Sequence, residues 1–406
     1  MKMRTFSIIA LLTAMTVPAA AQTATDLLEQ GREAYLNYDF SEAARLYAAA
    51  KKKVKRTDTD FTEKYTGYQK QLTMAQNFLD RVEKISIIDS ITVSKPEFFK
   101  AYRIPASSGH LQGSEAMPVK GHTATYIFSN ENQDYKIWAE RDTIGDMRLI
   151  EASRLNDGSW GEPTFLDDQL FANGDQAYPF MMADGVTLYY ADNGDNSLGG
   201  YDIMVATRDA GDGSFLQPQN MGFPYNSPYD DYLLAIDELN GVGWWATDRN
   251  QLDDELTIYV FVTNDLRQNY SADDDDVESF ARIDDYIATQ PEDSDYTELL
   301  NTIRAIDPNE SAREADFYLP MPGGKSYTSY DDFRSSQART MMRQYVAAQA
   351  EYKENAEKLQ DMRVAYHESR SIALGKKIAG AETALARELE QLQKMQSDIY
   401  KLELKN

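Results

Sequence analysis

The chain has 406 residues, with 66 acidic residues against 41 basic ones, a formal charge of −25, and no cysteine. Disulfide scaffolds, thiolate-bound metals, thiol catalysis and a lipid-modified N-terminal cysteine are thereby excluded. The negative charge repels phosphate backbones and anionic headgroups, so neither nucleic acid nor a bare bilayer is an expected partner. The length and an apolar content of 42% allow two or three domains with real cores.

The first 21 residues carry a basic start (Lys2, Arg4), an apolar run from Phe6 to Val17 and a small-residue end, Pro18-Ala19-Ala20-Ala21. This pattern predicts a secretory signal peptide cut after Ala21, leaving Gln22 as the mature N-terminus and a charge of −27. The alternative is a membrane anchor, but a dozen apolar residues fall short of the roughly 20 that span a bilayer. No later stretch is apolar enough to insert, so an exported, periplasmic protein is expected.

Residues 22–88 have helical periodicity with few glycines or prolines. Gly31, Phe40, Ala43, Tyr47 and Ala50 have the spacing of a tetratricopeptide repeat, where a small residue lets helices cross closely and aromatic rings fill the next groove. A third helix is expected from about Phe61 to Lys84. One repeat cannot bury its own face, so the unit should dock on the next domain or on a partner. A generic helical hairpin is the plainer alternative.

From Ile85 the pattern changes to short alternating strands separated by Gly, Asn and Asp, which predicts antiparallel β structure. Asp157-Gly158-Ser159-Trp160 recurs as Asp212-Gly213-Ser214-Phe215, and Asp175 recurs as Asp230, each 55 residues on. Leu188-Tyr189-Tyr190-Ala191-Asp192 maps onto Gly243-Trp244-Trp245-Ala246-Thr247 at the same shift, and an earlier copy is visible at Tyr126-Ile127-Phe128-Ser129. A period of this length, holding several short strands, predicts propeller blades.

Pro179, Asp184-Gly185, Leu188-Tyr189-Tyr190 and Gly199-Gly200-Tyr201-Asp202-Ile203 together resemble the PD40, or WD40-like, blade of TolB-type propellers. The resemblance implies a small propeller over residues 89–330, with an acidic insertion near 266–311 that includes Asp273 to Asp276. Three blades are visible and closure needs four, so further strands are expected near Tyr102 to Ile104 and near Asp316 to Leu319. The order of leader, tetratricopeptide unit, PD40 propeller and helical tail is similar to exported envelope proteins of Bacteroidota, and implies periplasmic location with possible outer-membrane association.

Residues 331–406 lack proline and nearly lack glycine, and Tyr345, Tyr352, Leu359 and Tyr366 fall seven apart. A second seam, Ile378, Leu385, Leu392 and Ile399, follows a break at Ser369 to Gly375. This predicts coiled-coil helices, either as an antiparallel hairpin or as one bent helix pairing between chains. The tyrosine-rich seam suits a self-association or partner surface, and Tyr345, Tyr352 and Leu359 are candidate contact residues.

Signs of catalytic chemistry are sparse. The histidines are His110, His122 and His367, too few and too scattered in sequence for an evident metal site or triad. No phosphate loop, zinc-hydrolase motif or nucleophile elbow occurs, and no cofactor is expected. Asp192 and Asp195 alternate with Asn and Gly as in a calcium loop, but Ile203 stands where the bidentate Glu should be, and Asx turns serve hairpin tips for backbone reasons alone. Trp244 and Trp245 are candidate binding residues; strand alternation places one ring on each face, where both can instead pack between blades. The expected fold is therefore a multidomain α and β chain: helical unit, small propeller and coiled coil. The expected function is a non-catalytic scaffold binding envelope proteins. The alternative is glycan binding or hydrolysis on the propeller.

Overall fold

The computed structural model describes residues 23–54, 58–155, 159–170, 173–209, 213–264, 266–271, 276–308, 317, 319–321, 325–327 and 329–404. The leader, Gln22, Asp157, Gly158, Asp212, Asp273 to Asp275, Asp316 and the His367 side chain lie outside the described set. The chain divides into two compact units, one ending at Glu310 and the other beginning at Ser311.

The first unit opens with three helices, α1 (Ala24–Leu36), α2 (Phe40–Lys53) and α3 (Thr59–Leu79). Each start is capped by a side-chain oxygen, from Thr23, Asp39 and Asp58, which satisfies a backbone N–H that the helix itself cannot. Glycine at position 31 is required by packing. A Cβ there would lie 2.5 Å from the Tyr47 ring of α2. The apolar stripe of these helices shares its core with Leu198 and Phe223 from the sheet region, so the helical unit docks on its neighbour rather than standing alone. Tyr35 pins the contact, its hydroxyl donating to the Leu198 carbonyl at 2.6 Å.

Among the described residues of this unit the strands are β1 (Ser86–Ser94), β2 (His110–Gln112), β3 (Ile127–Ser129), β4 (Tyr135–Arg141), β5 (Met147–Ser153), β6 (Thr164–Phe165), β7 (Gln176–Met181), β8 (Thr187–Asp192), β9 (Asp202–Thr207), β10 (Gln219–Asn220), β11 (Asp231–Asp237), β12 (Val242–Thr247) and β13 (Glu255–Val262). They form three antiparallel meanders: β2-β3-β4-β5-β6, then β7-β8-β9-β10, then β11-β12-β13 with β1 added beside β13. The 55-residue repeat has a structural meaning. The Asp175 carboxylate accepts from the Met147 N–H at the start of β5, and the Asp230 carboxylate accepts from the Tyr201 N–H just before β9. Each repeated aspartate thus brackets its own sheet to the next-to-last strand of the sheet before it. The Gly199-Gly200 pair serves the same junction, since a Cβ on Gly199 would fall 1.9 Å from the Pro228 carbonyl oxygen.

Among the described residues the expected closed propeller is not found: the three sheets are antiparallel and do not close. Two expected flanking strands are also corrected. Tyr102 to Ile104 is not a strand but follows a 3₁₀ turn at Phe98–Ala101, while Leu319–Met321 (β14) pairs with Lys325–Tyr327 (β15) in the second unit. The strand that completes the third sheet is β1, which pairs with β13 from Ser86↔Val262 to Ser94↔Glu255, with a bulge between Ile87 and Asp89. The sheets can remain an open stack because other segments cover their faces. Ile127, Trp138, Ile150 and Ala152, on one face of the first sheet, pack against Ala116, Met117, Val119, Ala124 and Trp160. The segment containing α4 (Val277–Arg282) and α5 (Thr297–Arg304) lies against β1, where Thr289 accepts from the Ile87 N–H and Arg304 pairs with Asp89. Apolar surface that a fourth blade would have buried is removed from water by these covers.

In the second unit, α6 (Ser336–Ser369) and α7 (Ile372–Glu403) form an antiparallel hairpin that turns at Arg370, a residue with left-handed backbone. Cross-pairs run in opposite directions along the arms, Asn355 with Glu388 and Arg363 with Glu382. Leu359, Leu392 and Ile399 are buried, as the heptads require. At the open end the buried Glu403 carboxylate accepts from the Arg334 and Ser335 N–H groups and from the Tyr327 hydroxyl, closing the start of α6. Among the described residues, no helix is long and apolar enough to cross a membrane.

Candidate functional site

Two strands carry bulges at nearly equivalent places, between Ala177 and Phe180 in β7 and between Asp231 and Leu234 in β11. A bulge leaves backbone groups without ladder partners and turns a side chain aside. The freed carbonyls are satisfied by tyrosines. Tyr126 donates to the Pro179 oxygen at 3.0 Å, and Tyr102 to the Leu233 oxygen at 2.7 Å. The bulge residues Tyr178 and Tyr232 are turned toward one another, with ring centroids 5.6 Å apart, and Tyr126 meets Tyr178 at 5.5 Å. Phe98 packs on both bulge tyrosines, and Phe99 on Tyr126.

Above this cluster lies a cleft of about 730 Å³. Its floor is formed by Tyr126, Tyr178, Tyr201 and Tyr232, and its rim includes Thr123, Thr125, Glu140 and Arg141. Burial raises all four phenols above their ordinary range, with Tyr201 pushed up to about 12. Each stays protonated near neutrality, but the Tyr126 and Tyr232 hydroxyls already donate to the Pro179 carbonyl and the Asp230 carboxylate, so the floor presents mainly apolar rings, a surface for binding rather than proton transfer. The rings meet at interplanar angles between 40° and 77°, so edge contacts among themselves occupy faces that a flat ligand needs for stacking.

One polar pair stands at the rim. His122 Nδ1 lies 2.7 Å from Glu140 Oε2, which also accepts from Trp138 Nε1 at 3.2 Å. His110 is held elsewhere, against the Glu131 carbonyl. A smaller cavity of about 340 Å³ opens between the first two sheets beside Arg208, but that guanidinium is engaged by Glu151 and the Tyr135 hydroxyl in its wall.

The candidate residues read from sequence are dispersed. Trp244 and Trp245 are both fully buried; Trp245 packs among Tyr225, Tyr259 and Phe261. Tyr345 and Tyr352 are half-buried and Leu359 is buried, all on α6 of the second unit. Asp192 is buried in β8, whereas Asp195 is exposed and faces Lys70 at 3.9 Å and Asn173 at 3.2 Å. Among the described residues no group of three His, Cys, Asp or Glu side chains is arranged to hold a metal. Sequence reasoning missed the four cleft tyrosines. The available signal was the repeat itself, since Tyr178 and Tyr232 each follow a repeated aspartate within three residues.

Comparison with protein-family models, with curated proteins and with solved structures finds no match to the chain.

Proposed function

We propose that this chain is an exported, non-catalytic interaction module of the cell envelope, acting in the periplasm, whose tyrosine cleft receives an extended segment of a partner protein. The observation that carries the reading is the cleft: four tyrosines with protonated hydroxyls, one acidic and one basic rim residue, and a volume suited to a few side chains. Tyrosine buries large area with few rotors and keeps a polar tip, the combination that makes interface anchors. The pattern of the first 21 residues supports export, and the net charge of −25 favours a partner with basic character. Exposed Tyr366 and Leu389 on the helical hairpin support self-association as a further element of the same scaffold role.

The test places a photo-crosslinking amino acid at Tyr201, on the cleft, and at Lys64, on α3, in the native envelope. A protein adduct at Tyr201 that disappears in Tyr232→Ala supports the reading; adducts from Lys64 alone contradict it. A second reading, hydrolysis or binding of glycans, draws on the His122–Glu140 pair at the rim. Glu140→Gln abolishing turnover of a peptidoglycan or glycan substrate would favour it over the scaffold.

A further inference from the structure

We propose that a separate polar pocket, at the junction of the α1–α2 turn, the third sheet and α4, binds a small carboxylate or oxyanion. The proposal does not rest on the tyrosine cleft, with which the pocket shares no lining residue. The pocket has a volume of about 270 Å³, and its wall includes Asn37, Tyr38, Tyr229, Arg249, Arg282 and Asp284.

Arg249, in the loop after β12, is buried. Its Nη2 donates to Asp231 at 3.0 Å and to the Tyr225 carbonyl at 2.7 Å, and its Nε donates to Thr247 at 3.0 Å. Its Nη1 has no hydrogen-bond partner. Tyr38, at the α1–α2 turn, is likewise buried, and its hydroxyl is unpartnered. Burial raises the Tyr38 phenol, partly offset by Arg249, so the hydroxyl remains a donor. Opposite them Arg282 gives Nε and Nη2 to Asp284, while its Nη1 makes only a 3.5 Å contact with the Asn37 carbonyl.

Both guanidiniums therefore have one edge neutralised by a carboxylate and donors left over on the other. A buried donor without a partner is costly, and two of them at one pocket define a demand for acceptor oxygens. An oxyanion supplies several acceptors at once, and hydrogen bonds from arginine to such a group are charge-assisted. The volume accommodates an anion the size of acetate, malonate or phosphate.

The experiment titrates the folded chain, at constant ionic strength against chloride, with acetate, malonate and inorganic phosphate, reading heat of binding and melting temperature. Tyr38→Phe removes only the hydroxyl, and Arg282→Gln removes one cation at the pocket mouth. Arg249 is left intact because its removal strands the buried Asp231. Saturable binding of at least one anion, weakened about tenfold or more in each variant, is the expected result. The melting temperature of each variant without anion shows that it is folded. Failure of all three anions to bind, or equal affinity in wild type and both variants, overturns the proposal.

Discussion

Replacing Asp192 by Asn should stabilise the chain at neutral pH and leave it unchanged in acid. Asp192 on β8 stands directly opposite Asp202 on β9, and both are buried. One Asp192 oxygen accepts from the Gly194 N–H at 2.8 Å, but the other has no partner; Asp202 takes two donors on Oδ2 and none on Oδ1. Burial pushes the Asp192 carboxyl from 3.8 up to about 6, with Asp175 and Asp195 adding repulsion. Asp202 is raised further, by burial and then by Asp231, whose own partner is Arg249. Raising a carboxyl from 3.8 to about 6 corresponds to roughly 3 kcal/mol.

The sign follows from proton binding. The native state holds this proton more tightly than the unfolded chain, so stability is greatest below about pH 4, falls as pH rises, and has lost the full amount above about pH 6. The amide keeps the Gly194 bond, carries no charge and can donate toward Asp202. Asp192→Asn should therefore melt about 5–10 °C above wild type at pH 7.5 and with it at pH 3.5. The assay is thermal unfolding of both proteins across that range, taken as a difference so that the chain's other carboxylates cancel. A variant less stable than wild type at pH 7.5, or a difference independent of pH, would refute the argument.

Other perturbations test the packing. Gly31→Ala forces a methyl group into the Tyr47 ring and should cost about 1–3 kcal/mol despite the better helix propensity of alanine, read as earlier loss of helical signal. Tyr102→Phe leaves the Leu233 carbonyl unpaired in its bulge and should cost about 1–3 kcal/mol in urea unfolding, with little change in m. Glu403→Gln weakens the charge-assisted closure of α6 and should lower the melting of the helical hairpin by about 1–2 kcal/mol, checked by calorimetry on the full chain.

Much of this architecture was legible because it is local. The helical hairpin with its required Gly31, the 55-residue repeat and the heptads of α6 and α7 each follow from spacing within one stretch of chain. The tryptophan pair shows the limit. Alternation implies one ring per face, but the burial of Trp245 rests on Tyr225, Tyr259 and Phe261, which no local pattern links to it. The missing fourth blade was inferred from the need to cover exposed sheets, and the need was met by segments without strand periodicity, 116–124 and 277–304. The cleft was unreadable for a related reason. Tyrosine is frequent here, and only the bulges distinguish the two that turn toward the cleft from those that pack.

The pairing of β1 with β13 sets a timetable for biosynthesis. A ribosome makes about 5–20 residues per second, so roughly 10–30 s separate the emergence of Ser94 from that of Val262. Through that interval β1, with its sequence Ser-Ile-Ile-Asp-Ser-Ile-Thr-Val-Ser, has no native strand to join. The nascent chain must be kept from pairing this segment with itself or with a neighbour. Completion of the third sheet is then a late event, possible only after nearly two-thirds of the chain has been synthesised.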